Sequence, residues 1–347
     1  MEISDLRTHL LAGQAIPALP LALDADAAWD KRQQRAVLRY YLDAGVGGIA
    51  VGVHSTQFEI REPQHALFKP LLLFASREID AWLANKRPLI KIAGICGDTK
   101  QALGEADLAK EAGYHAGLLS MAAWKSEPIA ALLSHCQSIA ERIPIIGFYL
   151  QPAVGGRNLS YQFWRAFAEI PNVLAIKIAP FNRYQTFDVV RAVMDSGRED
   201  IALYTGNDDN IIVDLLTPWV INGKTRFIAG GLLGQFGVWT KRAVELLEKM
   251  KRVRGSVAIP ADWLTKNAEW TDANAAIFDA QNSFAGVIPG IHEVLRRQGL
   301  LATTRCLNPH ERLSLGQSAE LDRVTAAYPW LTDIDFVAKH LESWLRD

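Results

Sequence analysis

The sequence predicts a (β/α)8 TIM barrel, of the α/β class, with a C-terminal helical extension. Two observations carry this. Apolar, β-like runs alternate with amphipathic helical stretches eight times, at roughly 30 residues per unit, and eight such units make a barrel of about 250 residues. The stretch from Ala15 to about Lys251 has that size. The second observation is the tail, which carries helical patterns and no convincing strand. The expected division is a catalytic barrel over 1–251 and a helical region over 252–347. An open doubly wound sheet is the competing architecture, because strand count alone does not decide closure.

The strands are expected at 15–23, 48–53, 89–93, 116–120, 145–150, 173–179, 201–205 and 226–229. They are rich in Ile, Val, Leu and Ala and do not strictly alternate, which suits parallel strands buried on both faces. Helices are expected at 31–44, about 63–84, 99–112, 126–142, 160–168, 184–196, 210–216 and 238–251. Chemistry in such a barrel belongs at the C-terminal ends of the strands and in the loops that follow.

Composition narrows the function. Apolar residues make up 49% and charged residues 22% of the 347, the balance of a globular protein with a sizeable core. Lys and Arg number 37 against 38 Asp and Glu, so no global basic field exists to hold a nucleic-acid backbone, and no nucleic-acid partner is expected. The basic cluster Lys249, Lys251, Arg252 and Arg254 closes a predicted helix, where positive charge suits the dipole. No run approaches the ~18 apolar residues of a spanning helix, so no membrane partner is expected. The first fifteen residues resemble a secretory signal poorly. Cys96, Cys136 and Cys306 lie far apart with no CxxC, which indicates neither a disulfide framework nor a thiolate zinc site. A cytoplasmic protein is expected.

Several motifs fail on inspection. Gly45-Val-Gly47-Gly-Ile-Ala50 has the glycine spacing of a dinucleotide turn, but it follows a predicted helix and opens a strand, the reverse of what that turn requires. Gly223-Lys-Thr225 looks like the tail of a phosphate loop, yet Pro218 stands where the first glycine is needed. The eight histidines show no metal-site spacing, and neither GxSxG nor HExxH occurs. No metal and no cofactor is expected.

The informative run is Val173-Leu-Ala-Ile-Lys-Ile-Ala-Pro180. Lys177 is its only charge. Alternation puts Ala175, Lys177 and Ala179 on one face, pointing into the barrel, and Ile176 and Ile178 on the other, against the helices. A buried ammonium is costly, so the pKa of such a lysine falls and free amine becomes available. A free amine facing a pocket attacks a carbonyl and forms an imine that serves as an electron sink. The strand alone leaves a second reading open, a lysine that reaches the rim or pairs with a carboxylate. Lys91, in Leu89-Ile-Lys-Ile-Ala93, is the competitor; it stands earlier in its strand and is expected deeper or facing outward.

These residues together resemble the dihydrodipicolinate synthase / N-acetylneuraminate lyase superfamily of class I, Schiff-base aldolases, from about Ile16 to about Gln317. Gly147-Phe-Tyr-Leu-Gln-Pro152 is similar to the family's Tyr-Asn-x-Pro, and Ile176-Lys177 to its Gly-Ile-Lys. The interval from Tyr149 to Lys177, 28 residues, suits the family's spacing. Gly45 to Thr56 resembles the segment Gly-Val-Asp-Gly…Gly-Thr-Thr-Gly-Glu, and Tyr204-Thr-Gly-Asn-Asp-Asp209 its Ser-Gly-Asp-Asp loop. The resemblance implies that Lys177 forms an imine with pyruvate or a related 2-oxo acid and that Tyr149 shuttles the proton. It implies carboxylate binding by Ser55 and Thr56, or by His54 with Ser55 if the register slips by one. Gly206 and Trp124 complete the expected substrate-binding set, and a homo-oligomer, dimer or tetramer, is expected.

The departures bear on substrate. His54-Ser-Thr-Gln replaces Thr-Thr-Gly-Glu, and Met121-Ala-Ala-Trp124 stands where Pro-Tyr-Tyr is common. An indole N–H donates only and cannot relay a proton. Val154 falls where the synthases carry an arginine for the second substrate's carboxylate, with Arg157 three residues away. The expected function is a lyase that forms or cleaves a carbon–carbon bond of a 2-oxo acid, with a sugar-acid or aromatic aldehyde as partner, and not a true dihydrodipicolinate synthase. Trp124, Phe58 and Phe181 would give it an apolar mouth. The alternatives are a non-catalytic 2-oxo-acid-binding barrel, and a dehydratase or decarboxylase working through the same imine.

Overall fold

The computed structural model describes residues 1–84 and 86–346. Eight parallel strands form one sheet, in the order β1 (Ala15–Pro17), β10 (Gly230–Leu233), β7 (Ala202–Thr205), β6 (Val173–Ala179), β5 (Ile145–Leu150), β4 (Ala116–Ser120), β3 (Ile90–Ile95) and β2 (Gly48–Val51). The two ends of that order meet. Leu19 N–H donates to the Ala50 carbonyl at 2.8 Å, Gly47 N–H donates to Ala15 at 3.1 Å, and Ala18 bridges Ala50. The sheet is a closed (β/α)8 barrel, and the open doubly wound alternative is set aside.

Strand alternation sorts the side chains into two layers. Ile16, Ile92, Leu118, Ile146, Ala175 and Leu232 fill the interior, whereas Ile49, Leu119, Ile176 and Ile178 pack with the helices outside. The helices start and stop where the chain supplies caps. In Lys31–Ala44 the Asp30 carboxylate accepts from Gln33 N–H at 3.0 Å, and Gly45 ends the helix at φ 97°, a conformation open to glycine.

The eighth barrel strand departs from expectation. The run 226–229 lies wholly before it, and Lys224–Arg226 (β9) pairs antiparallel with Trp219–Ile221 (β8) in a hairpin beside the barrel. The barrel strand is Gly230–Leu233, whose glycines read as loop in sequence. Glycine is needed there, because a Cβ on Gly231 would stand 2.6 Å from the Phe236 ring. A further element, the helix Ile3–Leu11, closes the N-terminal end of the barrel by burying Leu6 and Leu10 with its interior residues. Tyr204 from the interior donates its hydroxyl to the Leu10 carbonyl at 2.7 Å.

The C-terminal helices Asp262–Ile277, Val287–Arg297, Gln317–Ala327 and Ile334–Trp344 lie against the barrel. Asp333 ties them to it, accepting from Tyr40 Oη at 2.7 Å, Lys241 N–H at 3.0 Å and Gln298 Nε2 at 2.8 Å. The boundary expected at 251/252 falls inside the helix Thr240–Val253.

Candidate active site

A cavity opens at the C-terminal ends of the strands, with Lys177 in its wall. Phe148 is in register with Lys177 and shares its face, so the ammonium lies over that ring, 4.4 Å from the centroid. Among the described residues Lys177 makes neither an ion pair nor a hydrogen bond. Gly206 makes room for the side chain: a Cβ there would stand 2.7 Å from Lys177 Cε. Burial holds the Lys177 pKa below that of an ordinary lysine, and the negative charge of Asp208 opposes the shift without cancelling it.

Lys91 shows the contrast. It points outward from β3, and its ammonium bonds Ser76 Oγ at 3.0 Å and both Asp80 oxygens at 2.9 and 2.8 Å. Such a lysine is engaged in an ion pair outside the barrel interior.

Asp208 follows β7 and lines the same cavity. One carboxylate oxygen accepts from Gln235 N–H at 3.1 Å, and the residue's carbonyl accepts from Asn274 Nδ2 at 2.6 Å. Burial raises the carboxyl's pKa, against the opposing pull of that N–H and of Lys177. The loop carrying it is fixed from below. Buried Asp214 accepts from Thr205 Oγ1 at 2.6 Å and Asn207 Nδ2 at 3.0 Å and pairs with Arg183, while Asn207 Oδ1 accepts from Phe181 N–H at 3.0 Å. Burial thus shifts an amine and a carboxyl that face one cavity each toward its uncharged form.

The loop after β2 turns through His54–Thr56, and His54 and Ser55 line the cavity. Burial, aided by the charge of Lys177, pushes the imidazole down to about 4, so it is neutral near pH 7. Thr56 does not line the cavity. Its hydroxyl accepts from Gly52 N–H at 3.0 Å and Val53 N–H at 3.2 Å and donates to the Leu19 carbonyl at 2.7 Å, which leaves it nothing to offer a ligand. The pair the turn presents is therefore His54 and Ser55.

Two further expected residues are elsewhere. Tyr149 packs in the outer layer, 5.4 Å from the Trp164 ring, and its hydroxyl accepts from Leu159 N–H at 3.2 Å. The cause is a register shift. Ile145 pairs with Val173, an offset of 28, but Ile146 pairs with Ala175, an offset of 29, because β6 carries an extra residue there. The 28-residue interval to Lys177 therefore sets Tyr149 opposite Ile178, on the outer face. Trp124 also stays off the cavity, with its indole N–H on the Gly97 carbonyl at 3.3 Å and its ring 4.7 Å from His135. Arg157 donates to the carbonyls of Trp124 at 2.6 Å and Glu127 at 3.2 Å.

Of the expected apolar mouth only Phe181 lines the cavity; Phe58 and Trp124 do not. Phe148, Leu150 and Val154 join it from β5 and its loop, and Phe278, Phe284, Val287 and Ile291 from the C-terminal region. Sequence reading missed these last four, since nothing in a helical tail marks which residues return to a barrel mouth. Asp208 and Phe148 carried a usable signal: an acid just beyond a strand end, and the neighbour of the tyrosine one register step away. Among the described residues no cluster of His, Cys, Asp and Glu is placed to hold a metal ion.

The sequence profile of the Dihydrodipicolinate synthetase family matches residues 12–218. A 4-hydroxy-tetrahydrodipicolinate synthase of Aromatoleum aromaticum is 27% identical over 198 residues, 56% of this chain and 63% of that protein. The chain thus spans less than two-thirds of that relative's length. Among solved structures, a dihydrodipicolinate synthase of Acinetobacter baumannii complexed with pyruvate superposes with a TM-score of 0.73 at 19% identity, covering 91% of this chain and 98% of that one. An N-acetylneuraminate lyase of Fusobacterium nucleatum gives 0.70 at 16% identity, covering 92% and 99%. At these identities the superpositions establish the fold.

Proposed function

The chain belongs to the dihydrodipicolinate synthetase family, and from that premise we propose that it is a Schiff-base lyase acting on pyruvate or a related 2-oxo acid. The observation that carries the reading is Lys177, which makes no ion pair among the described residues and is held below its ordinary pKa in the wall of the cavity. Its free amine adds to the 2-oxo carbon, and loss of water leaves the imine. That imine accepts the electron pair when a carbon–carbon bond at carbon 3 breaks, and releases it when one forms. The Asp208 carboxyl takes and returns the proton of the partner's hydroxyl, the role expected of Tyr149. Ser55 and His54 hydrogen-bond the acid's carboxylate.

Dihydrodipicolinate synthesis itself is the wrong reaction for this site. The carboxylate of aspartate semialdehyde calls for a bidentate arginine. Val154 offers no donor, and Arg157 is engaged with main-chain carbonyls. One observation favours a second reading, a barrel that binds a 2-oxo acid without turnover: Tyr149, the tyrosine expected to carry the proton, is outside the cavity. The discriminating assay is release of pyruvate from a panel of 4-hydroxy-2-oxo acids. Release that vanishes in Lys177→Met supports the lyase; binding without release across the panel supports the second reading.

A further inference from the structure

The two ends of the cavity differ in kind. Lys177, Asp208, His54 and Ser55 supply one group of polar side chains, and beyond them Gln151 is the one polar side chain in a wall that is otherwise hydrocarbon and glycine. Apart from Lys177 and Asp208, no described residue lining the cavity carries a charge at neutral pH.

The backbone at the mouth shows how that wall is built. Phe181 and Phe284 both stand at positive φ, 52° and 67°, where a bulky side chain is rarely found and which costs strain. Each is held there. Phe181 N–H donates to Asn207 Oδ1, and Phe284 N–H donates to the Asp279 carbonyl at 3.0 Å. Asp279 is itself fixed by Gly286 N–H at 3.0 Å and Ser314 Oγ at 2.5 Å. The two rings consequently meet edge to face, 6.1 Å apart at 66°, one from the barrel and one from the C-terminal extension. Two separate segments accept backbone strain to place aromatic rings in the mouth of one cavity.

We propose that this outer half is a subsite for an apolar group on the aldehyde partner, an uncharged aryl or alkyl substituent. The assignment to an aldehyde partner rests on the imine reading of Lys177. The walls exclude the alternatives by their chemistry. A carboxylate or phosphate there would be desolvated with no cation to meet it, and a polyhydroxylated chain would lose hydrogen bonds to water with few partners in exchange.

The test is calorimetric titration of the Lys177→Met protein, which cannot form the imine, with 4-hydroxy-2-oxo acids bearing methyl, ethyl, propyl, phenyl or carboxyl at carbon 4. Affinity should rise roughly threefold to fourfold per methylene. The carboxyl member should bind at least about tenfold more weakly than the propyl member. Phe284→Ala in the same background should flatten the series and weaken the phenyl member by about tenfold. A flat series, or tightest binding of the carboxyl member, overturns the subsite. The imine is judged separately, by borohydride trapping of pyruvate on the wild-type protein: a graded series without an adduct keeps the apolar subsite and discards the imine.

Discussion

Lys177 and Lys91 occupy similar apolar strands and meet opposite environments. Lys91 finds Asp80 and Ser76 among the outer helices and pairs with them. Lys177 finds an aromatic ring, a glycine that yields space and a carboxyl that burial inclines toward the neutral form. On the proposed function Asp208 moves the proton of the partner's hydroxyl. Asp208→Asn should lower aldol turnover by ~10²–10⁴, the usual scale for a general acid–base group, while pyruvate is still trapped by borohydride. Steady-state rates beside adduct mass separate the two effects. Tyr149→Phe should leave turnover within about twofold, since the phenol lies outside the cavity. It should cost ~1 kcal/mol in a urea melt, through the hydrogen bond from Leu159. A large loss of turnover in Tyr149→Phe would return the proton role to the tyrosine.

At the scale of the element, periodicity made most of the barrel legible. The run at 116–120 and the helix at 31–44 fall where the apolar pattern puts them, because the strand is buried on both faces and the helix along one. Two kinds of information were hidden. A single extra residue in β6 reversed the face of every later residue of β5 relative to a fixed count, and so exchanged Phe148 for Tyr149 at the site. Glycines in the eighth strand concealed it, because close packing against Phe236 and not side-chain pattern defines that strand. The tertiary joins were invisible as well. Asp333 gathers a barrel helix, the first turn of Thr240–Val253 and the end of a helix of the extension on one buried carboxylate. Asp333→Ala would strand several donors at once and should destabilise the fold by roughly 2–3 kcal/mol, read as a fall in the urea midpoint.

For the molecule as a whole, burial leaves an acid liability. His54, His115, His135 and His292 are each pushed down to about 4 by burial. The unfolded chain binds protons at these groups below about 6.5, where the folded chain still refuses them. Their contribution is therefore complete above about pH 6.5 and is lost as pH falls toward 4. The melting temperature should drop steadily between pH 6.5 and 4.5, and a flat profile would place these imidazoles in contact with water.

The same scale decides substrate. With Val154 at the mouth and Arg157 spent on the loop of Trp124 and Glu127, condensation of pyruvate with aspartate semialdehyde should be negligible. The missing charge-assisted pair alone is worth a factor of ten or more, about 1.5–3 kcal/mol. Efficient synthase turnover that disappears in Arg157→Ala would mean that the guanidinium leaves those carbonyls for the substrate. The proposed chemistry stands on the imine, and trapping tests it directly. Wild-type protein incubated with pyruvate and borohydride, then digested and weighed by mass spectrometry, should carry a reduced three-carbon adduct on the peptide containing Lys177. An adduct on the Lys91 peptide instead, or none with any short 2-oxo acid, would contradict it.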